Sequence, residues 1–185
     1  MKHQIPNALT VLRFLLVPVF LYFMFISQQS WMALAIFIVA SFTDYLDGML
    51  ARKLDVISDF GKIMDPLADK LLVLSALSGL CWLPPFNLSA IIFFIILVRE
   101  LLITIMREVY QKRGIVVAAD KLGKLKTVMQ MLGIIVALSF WAAQDEVSVW
   151  VIKSVSIWFW IVAAITVISG FNYLRVLTKK EPDHA

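Results

Sequence analysis

Four aspartates lie close together in a chain that is otherwise strongly apolar. Asp44, Asp47, Asp65 and Asp69 belong to a sequence that is 61% hydrophobic. Ionised carboxylates are costly beside apolar segments, and four at close range repel one another. Divalent cations that prefer oxygen ligands, such as Mg²⁺, Mn²⁺ or Ca²⁺, would offset that repulsion. Two such ions in one site suit displacement at phosphorus, because they hold both the attacking and the leaving oxygen.

The acids belong to one ordered string, Asp44-x2-Asp47-Gly48-x2-Ala51-Arg52-x8-Gly61-x3-Asp65-x3-Asp69. Its first four fixed residues, from Asp44 to Ala51, follow the i, i+3, i+4, i+7 spacing of one helix face. The last three fixed members recur every four residues, and Pro66 suits the first turn of a new helix. The small residues let a ligand or a neighbouring backbone come close. The spacing therefore predicts that the facing ends of two consecutive helices bring the four carboxylates together.

Other roles explain the four acids less completely. Arg52, Lys62 and Lys70 could form ion pairs with acids at the edges of the cluster. An ordinary fold, however, gains little stability from so many acids in apolar surroundings. A cation transporter is the alternative of another class, since acids inside a membrane also mark ion paths. A transporter would need polar groups through the outer half of the membrane, where this sequence is apolar and aromatic. A membrane adaptor without chemistry leaves the shared spacing of acids and small residues unexplained.

The elements that must position these acids are apolar segments long enough to cross a bilayer. The 185-residue chain has a mean hydropathy of +0.87, and a spanning helix needs about 20 mostly apolar residues. We expect an all-α integral membrane protein with a single domain, residues 1–185, and short connectors. Its six predicted spans are Leu9 to Ile26, Met32 to Leu50, Pro66 to Leu83, Ser89 to Tyr110, Leu125 to Ala143 and Val147 to Val176.

The basic residues predict the orientation of these spans. When the N-terminus is placed in the cytoplasm, all of the 17 Lys and Arg except Lys153 lie on or toward the cytoplasmic side. Both termini are then cytoplasmic, and the acids face the same side. Trp31, Trp82, Trp141 and Trp150 fall near the predicted outer ends, as interfacial aromatic residues do. The histidines, His3 and His184, lie only at the tails, so a histidine-based site inside the fold is not expected.

The string resembles the signature of the CDP-alcohol phosphotransferase family of integral membrane enzymes, and every fixed position of that signature is occupied. The resemblance implies two divalent cations, Mg²⁺ or Mn²⁺, bound by Asp44, Asp47 and Asp65, with Asp69 as general base and also as a metal ligand. It implies a CDP-linked donor, release of CMP, a homodimer and the inner membrane of a bacterium, with no nucleic acid as partner. The donor and its nucleotide would contact Asn7, Thr10, Arg13, Gly48, Ala51, Arg52 and Gly61.

Three further stretches resemble family members whose acceptor is glycerol 3-phosphate and whose donor is CDP-diacylglycerol. They are Ile5-Pro6-Asn7-x2-Thr10-x2-Arg13, Arg99-Glu100-Leu101-Leu102 with Arg107, and Gly123-Lys124-x-Lys126-Thr127-x2-Gln130. The residue types are consistent with this acceptor, because a phosphorylated acceptor needs cations and arginine binds phosphate through two parallel hydrogen bonds. We expect the acceptor phosphate to contact Arg99, Arg107 and Lys124. Serine, inositol phosphate and a second phosphatidylglycerol are the alternative acceptors.

Each basic residue also has a simpler interpretation. Arg99, near the middle of its span, could instead form an ion pair with Glu100. Arg107 could extend to the membrane surface without binding a ligand. Lys124 and Lys126 could attract anionic lipid headgroups. The N-terminal residues Asn7, Thr10 and Arg13 could simply start and anchor the first helix.

Overall fold

The computed structural model of the protein describes residues 4–54, 59–112, 121–144 and 146–180, with side chains in 11–43, 67–68, 70–111, 122–144 and 146–177. This part of the chain forms six α-helices and one short π-helical segment, without a β-strand. The expected all-α class is therefore confirmed. The elements are α1 (Gln4–Leu21), the π-helical segment (Tyr22–Ile26), α2 (Ser30–Leu54), α3 (Asp59–Trp82), α4 (Ala90–Lys112), α5 (Lys121–Ala143) and α6 (Val149–Lys180).

The helices extend past the apolar segments that predicted them. A connector was expected from Ala51 to Asp65, but α2 continues to Leu54 and α3 already begins at Asp59. Pro66 accordingly lies inside α3, and the prediction that it begins a helix was wrong. Hydropathy marks the part of a helix that can lie in hydrocarbon, whereas backbone hydrogen bonds continue through polar turns beyond it. The last helix is the longest, with 32 residues, and it also continues past its apolar part.

The apolar surface agrees with a membrane protein. Among the described residues, Leu122–Ala143 and Val149–Leu177 are each long and apolar enough to cross a membrane, and three shorter apolar helices accompany them. Three tryptophans, Trp31, Trp82 and Trp150, are exposed at helix ends. Amphipathic aromatic rings at helix ends are typical of the membrane interface. The number of spans and their orientation stay predictions.

The chain divides into two compact units, and the first comprises Met1–Asn87 and Ile134–Ser148. Here α1 packs against both α2 and α3, and α2 also contacts α3. The fully buried rings of Phe20 and Phe37 meet at 6.0 Å between centroids. The buried side chain of Met24, in the π-helical segment, lies against Gly79, so α3 approaches that segment where it has no side chain. This close packing fixes the three helices that carry the acid string and the N-terminal residues.

The second unit comprises Leu88–Gly133 and Val149–Ala185. In it α4 packs against α6, where Ile103, Tyr173 and Leu177 form a buried cluster. The indole Nε1 of Trp158 on α6 donates a hydrogen bond to the backbone carbonyl of Met129 on α5, at 3.0 Å. This unit therefore contains α4, α6 and the first part of α5, and Arg99, Lys124 and Lys126 lie on these helices.

Candidate active site

The acid string occupies the adjoining ends of α2 and α3. Asp44, Asp47, Gly48, Ala51 and Arg52 lie on the last turns of α2, and Gly61, Asp65 and Asp69 on the first turns of α3. Their side chains are outside those that the structure describes. The helical backbone confirms that the first group has the spacing of a helix stripe, because residues three and four apart share a face.

The bounds of the two helices place the acids at matching heights. Helices that contact each other and are joined by a connection of a few residues run antiparallel. At about 1.5 Å per residue, Asp47 lies about 10 Å from the end of α2 and Asp65 about 9 Å from the start of α3. Asp44 and Asp69 are each about 15 Å from the same ends. An antiparallel pair therefore brings the four positions to the same end of the first unit.

The donor set suits hard divalent cations. Four carboxylates on two packed helices offer only oxygen, which Mg²⁺ and Mn²⁺ prefer. Among the described side chains no group of three His, Cys, Asp or Glu comes together. The carboxylates of Asp44, Asp47, Asp65 and Asp69 therefore remain the candidate ligands, and no second set competes with them in that part of the chain.

Arg13 is enclosed within the first unit. It lies on α1 with Asn7 and Thr10, whose side chains fall outside the described ones, and α1 contacts both helices of the acid string. Arg13 itself is fully buried. A residue that only anchors a helix in the interface keeps its charged group at the surface. The burial of Arg13 therefore argues against an anchoring role and favours a polar interior near the acid string.

A second cluster of charged residues lies inside the second unit, and we call Arg99, Glu100, Lys126 and Ser169 the α4–α6 cluster. Arg99 Nη1 contacts Glu100 Oε1 at 3.3 Å, and Lys126 Nζ forms an ion pair with the same oxygen. Arg99 Nη2 donates to the hydroxyl Oγ of Ser169 at 2.9 Å. The Lys126 side chain is 4% exposed. The Glu100 carboxylate thus faces two cations, the partly buried Arg99 and the buried Lys126.

Two glycines make room for the Arg99 side chain. A Cβ at Gly170 would lie 3.4 Å from Arg99 Cγ, and one at Gly123 would lie 3.7 Å from Arg99 Nη2. A larger side chain at either position would meet the arginine. Beyond it, α4 and α6 line an apolar groove of about 480 Å³ in which Arg99 is the charged residue. The guanidinium therefore occupies a specific gap between three helices.

The two other candidates for the acceptor phosphate, Arg107 and Lys124, are exposed. Arg107 lies two turns after Arg99 on α4, and Lys124 lies in the first turn of α5. Thr104, on the same face of α4 as Glu100, donates its hydroxyl to the Glu100 carbonyl at 2.6 Å. Arg107 and Lys124 are thus accessible to a soluble anion or to lipid headgroups, whereas Arg99 is held inside the protein.

The sequence predicted two alternative roles for Arg99, an ion pair with Glu100 and a contact with a ligand. The structure confirms the ion pair. The sequence predicted Lys126 mainly as a surface cation, which is wrong, because Lys126 is buried and paired. It did not single out Ser169. The available signal was a hydroxyl in the apolar stretch between Ile168 and Gly170, but such a residue often bonds only to its own helix.

Comparison with known proteins shows a family and several relatives to which the chain is similar. The model of the CDP-alcohol phosphatidyltransferase family matches residues 3–171. A Bacillus subtilis protein named CDP-diacylglycerol–glycerol-3-phosphate 3-phosphatidyltransferase is 36% identical over 92% of this chain and 93% of its own length. A Rickettsia typhi protein of the same name is 32% identical over 93% of this chain and 96% of its own length. A Mycobacterium tuberculosis protein named probable phosphatidylglycerophosphate synthase is 37% identical over 92% of this chain and 80% of its own length.

Proposed function

Because the chain belongs to the CDP-alcohol phosphatidyltransferase family, we propose that it transfers the phosphatidyl group from CDP-diacylglycerol to glycerol 3-phosphate. The products are phosphatidylglycerophosphate and CMP, and the reaction belongs to phospholipid biosynthesis. The observation that carries the proposal is similarity over nearly the whole chain to proteins named for this reaction. The same similarity supports one catalytic domain over residues 1–185.

The donor would bind at the acid string. Asp44, Asp47, Asp65 and Asp69 would hold two divalent cations, Mg²⁺ or Mn²⁺, which supply positive charge to the donor pyrophosphate and to the phosphorus under attack. The small residues Gly48, Ala51 and Gly61 would let the nucleotide approach the helix backbones. Arg52 and the N-terminal residues Asn7, Thr10 and Arg13 would contact the nucleotide or its phosphates. Support comes from the buried position of Arg13 in the unit that carries the string.

The chemistry assigned to the protein is one proton transfer and one direct displacement. Asp69 would accept the proton of the primary hydroxyl of glycerol 3-phosphate. The resulting oxygen attacks the phosphorus that bears diacylglycerol, and a new P–O bond forms. The bond from that phosphorus to the bridging pyrophosphate oxygen breaks, and its electron pair leaves with CMP. The sequence offers no side chain that is placed as a covalent nucleophile, so the transfer is direct.

The acceptor phosphate would bind to the basic residues of the second unit. The α4–α6 cluster presents two cations, Arg99 and Lys126, beside the carboxylate of Glu100, and arginine binds phosphate through charge-assisted hydrogen bonds. Arg99, with the exposed Arg107 and Lys124, would supply the contacts. A phosphorylated acceptor matches this charge better than serine, which has no phosphate.

The lipid substrate requires a site at the membrane surface. We propose six spans, cytoplasmic termini and an active site at the cytoplasmic side of a bacterial inner membrane, so that the acyl chains stay in hydrocarbon while acceptor and CMP exchange with water. The exposed tryptophans at helix ends and the apolar helices support this arrangement. A homodimer is proposed from the family resemblance alone.

The test is CMP release by the purified protein in mixed micelles with CDP-diacylglycerol. We expect glycerol 3-phosphate to support turnover far better than serine or inositol phosphate, and EDTA to abolish it until Mg²⁺ or Mn²⁺ is restored. Asp69→Asn should lower kcat by at least about a hundredfold, as expected for loss of a general base. Asp59→Asn, which changes an acid of α3 outside the string, is the matched control and should stay active. Turnover that survives both EDTA and Asp69→Asn would overturn the proposal.

A further inference from the structure

We propose that Ser169 is a positioning residue for the acceptor phosphate, because it holds the guanidinium of Arg99 in the orientation that receives the phosphate. This inference rests on the proposed function. Ser169 is on α6, 70 positions from Arg99 on α4, and it is 1% exposed. Its hydroxyl accepts the hydrogen bond from Arg99 Nη2 at 2.9 Å. The bond therefore joins two helices at the buried end of the arginine.

Among the described residues, the guanidinium has partners at two of its nitrogens and none at the third. Nη1 faces Glu100 at 3.3 Å and Nη2 faces Ser169 at 2.9 Å. Nε is buried, and no hydrogen-bond acceptor reaches it among the residues the structure describes. A buried N–H without a partner destabilises a protein by roughly 1–3 kcal/mol. An N–H without an acceptor, on an arginine that is otherwise held in place, can donate a hydrogen bond to an anionic ligand such as a phosphate.

A hydroxyl suits this position because it orients the arginine without neutralising it. Glu100 is already shared between Arg99 and Lys126. A second carboxylate on α6 would form an ion pair with Arg99 and compete with a phosphate. A serine hydroxyl is neutral, so it holds the guanidinium without cancelling its charge.

The space around the contact is limited. A Cβ at Gly123 would lie 3.6 Å from Ser169 Oγ and 3.7 Å from Arg99 Nη2, and one at Gly170 would lie 3.4 Å from Arg99 Cγ. These are ordinary contact distances, so the backbones of α5 and α6 already border the arginine closely. Loss of the Ser169 hydroxyl would leave Arg99 Nη2 without its anchor while the surrounding packing stays in place. The expected effect is therefore on the binding of the acceptor and not on the fold.

The test compares kinetic constants of full-length variants. Ser169→Ala should raise KM for glycerol 3-phosphate roughly tenfold, as expected for loss of one charge-assisted hydrogen bond. Its KM for CDP-diacylglycerol and its Tm should stay close to those of the unaltered protein. Ser169→Thr keeps the hydroxyl and should restore KM for glycerol 3-phosphate to within about threefold of the original value.

Thr166→Val is the matched control. It removes a buried hydroxyl one turn earlier on the same helix, and that hydroxyl donates only to its own helix, to the carbonyl of Val162 at 2.7 Å. We expect both KM values to stay unchanged. An unchanged KM for glycerol 3-phosphate in Ser169→Ala, or an equal rise in Thr166→Val, would overturn the inference. If Ser169→Ala does not fold, Ser169→Cys, whose thiol is a weak hydrogen-bonding group, is measured with the same expectation.

The outcomes separate this inference from the function on which it rests. An unaltered protein that does not use glycerol 3-phosphate overturns both. An active protein whose KM for glycerol 3-phosphate is insensitive to Ser169→Ala overturns only the role of Ser169. A rise in both KM values by the same factor would indicate a general loss of packing and would also count against a positioning role.

Discussion

Removal of the Glu100 side chain should destabilise the protein more than removal of Lys126, although the two residues form one ion pair. Glu100 contacts both cations of the α4–α6 cluster, so Glu100→Ala removes the carboxylate that Arg99 and Lys126 share. Lys126→Met removes one cation and leaves the Arg99–Glu100 pair at 3.3 Å. Deleting one partner of a buried pair costs about 3–5 kcal/mol when it leaves a buried charge uncompensated. Lys126→Met should cost less, because Glu100 keeps Arg99 as its partner.

The exposure of the partners sets the expected size of the effect. The side chain of Glu100 is 15% exposed and that of Lys126 only 4%, so water can reach the carboxylate side of the pair. We therefore expect the lower end of the range, about 3 kcal/mol for Glu100→Ala. For a protein of this length, 1 kcal/mol corresponds to about 2–4 °C, which gives a decrease in Tm of about 6–12 °C. Lys126→Met should change Tm by no more than about 4 °C on the same scale.

The assay is thermal unfolding of the purified variants in one neutral detergent, followed by tryptophan fluorescence. Glu108→Ala is the control, because Glu108 is an exposed acid on the same helix and its loss should cost at most about 0.5 kcal/mol. The double variant Glu100→Ala/Lys126→Met should recover part of the loss, since one of the two cations that contacted Glu100 is gone. A Tm of Glu100→Ala equal to or above that of Lys126→Met would refute the reasoning.

Three further outcomes are expected. Gly133→Ala should lower Tm by several degrees in thermal unfolding, because its Cβ would lie 2.7 Å from the ring of Trp158, whose indole is held by a hydrogen bond to α5. Gly79→Ala should also lower Tm in the same assay, because its Cβ would lie 2.8 Å from Met24 Cγ, near the base of a buried side chain, and the preference of the helix for alanine, about 1 kcal/mol, offsets only part of that loss; an unchanged Tm in Gly79→Ala would contradict this. Arg107→Gln should raise KM for glycerol 3-phosphate roughly three- to tenfold in the CMP-release assay, and an unchanged KM would assign Arg107 to the membrane surface instead.

Short-range spacing was enough to predict much of this protein. The i, i+3, i+4, i+7 pattern from Asp44 to Ala51 is a property of one helix, and α2 is helical throughout that stretch. Apolar segments of spanning length predicted the all-α class and the approximate position of each helix. The same string placed the chain in its family, and the match to residues 3–171 confirms that assignment. All of these features depend on residues that are near one another along the chain.

Contacts between distant helices were decided by tertiary structure. Lys126 has the sequence context of a surface cation, and only the packing of α5 against α4 gives it Glu100 as a partner. Ser169 could have donated its hydroxyl to its own helix, as Thr166 does. It instead accepts a hydrogen bond from Arg99, whose side chain lies against Gly123 and Gly170. Periodicity determines which side chains share a face of a helix. Which helix that face meets, and which single group lies opposite a charge, follows from the way the helices pack.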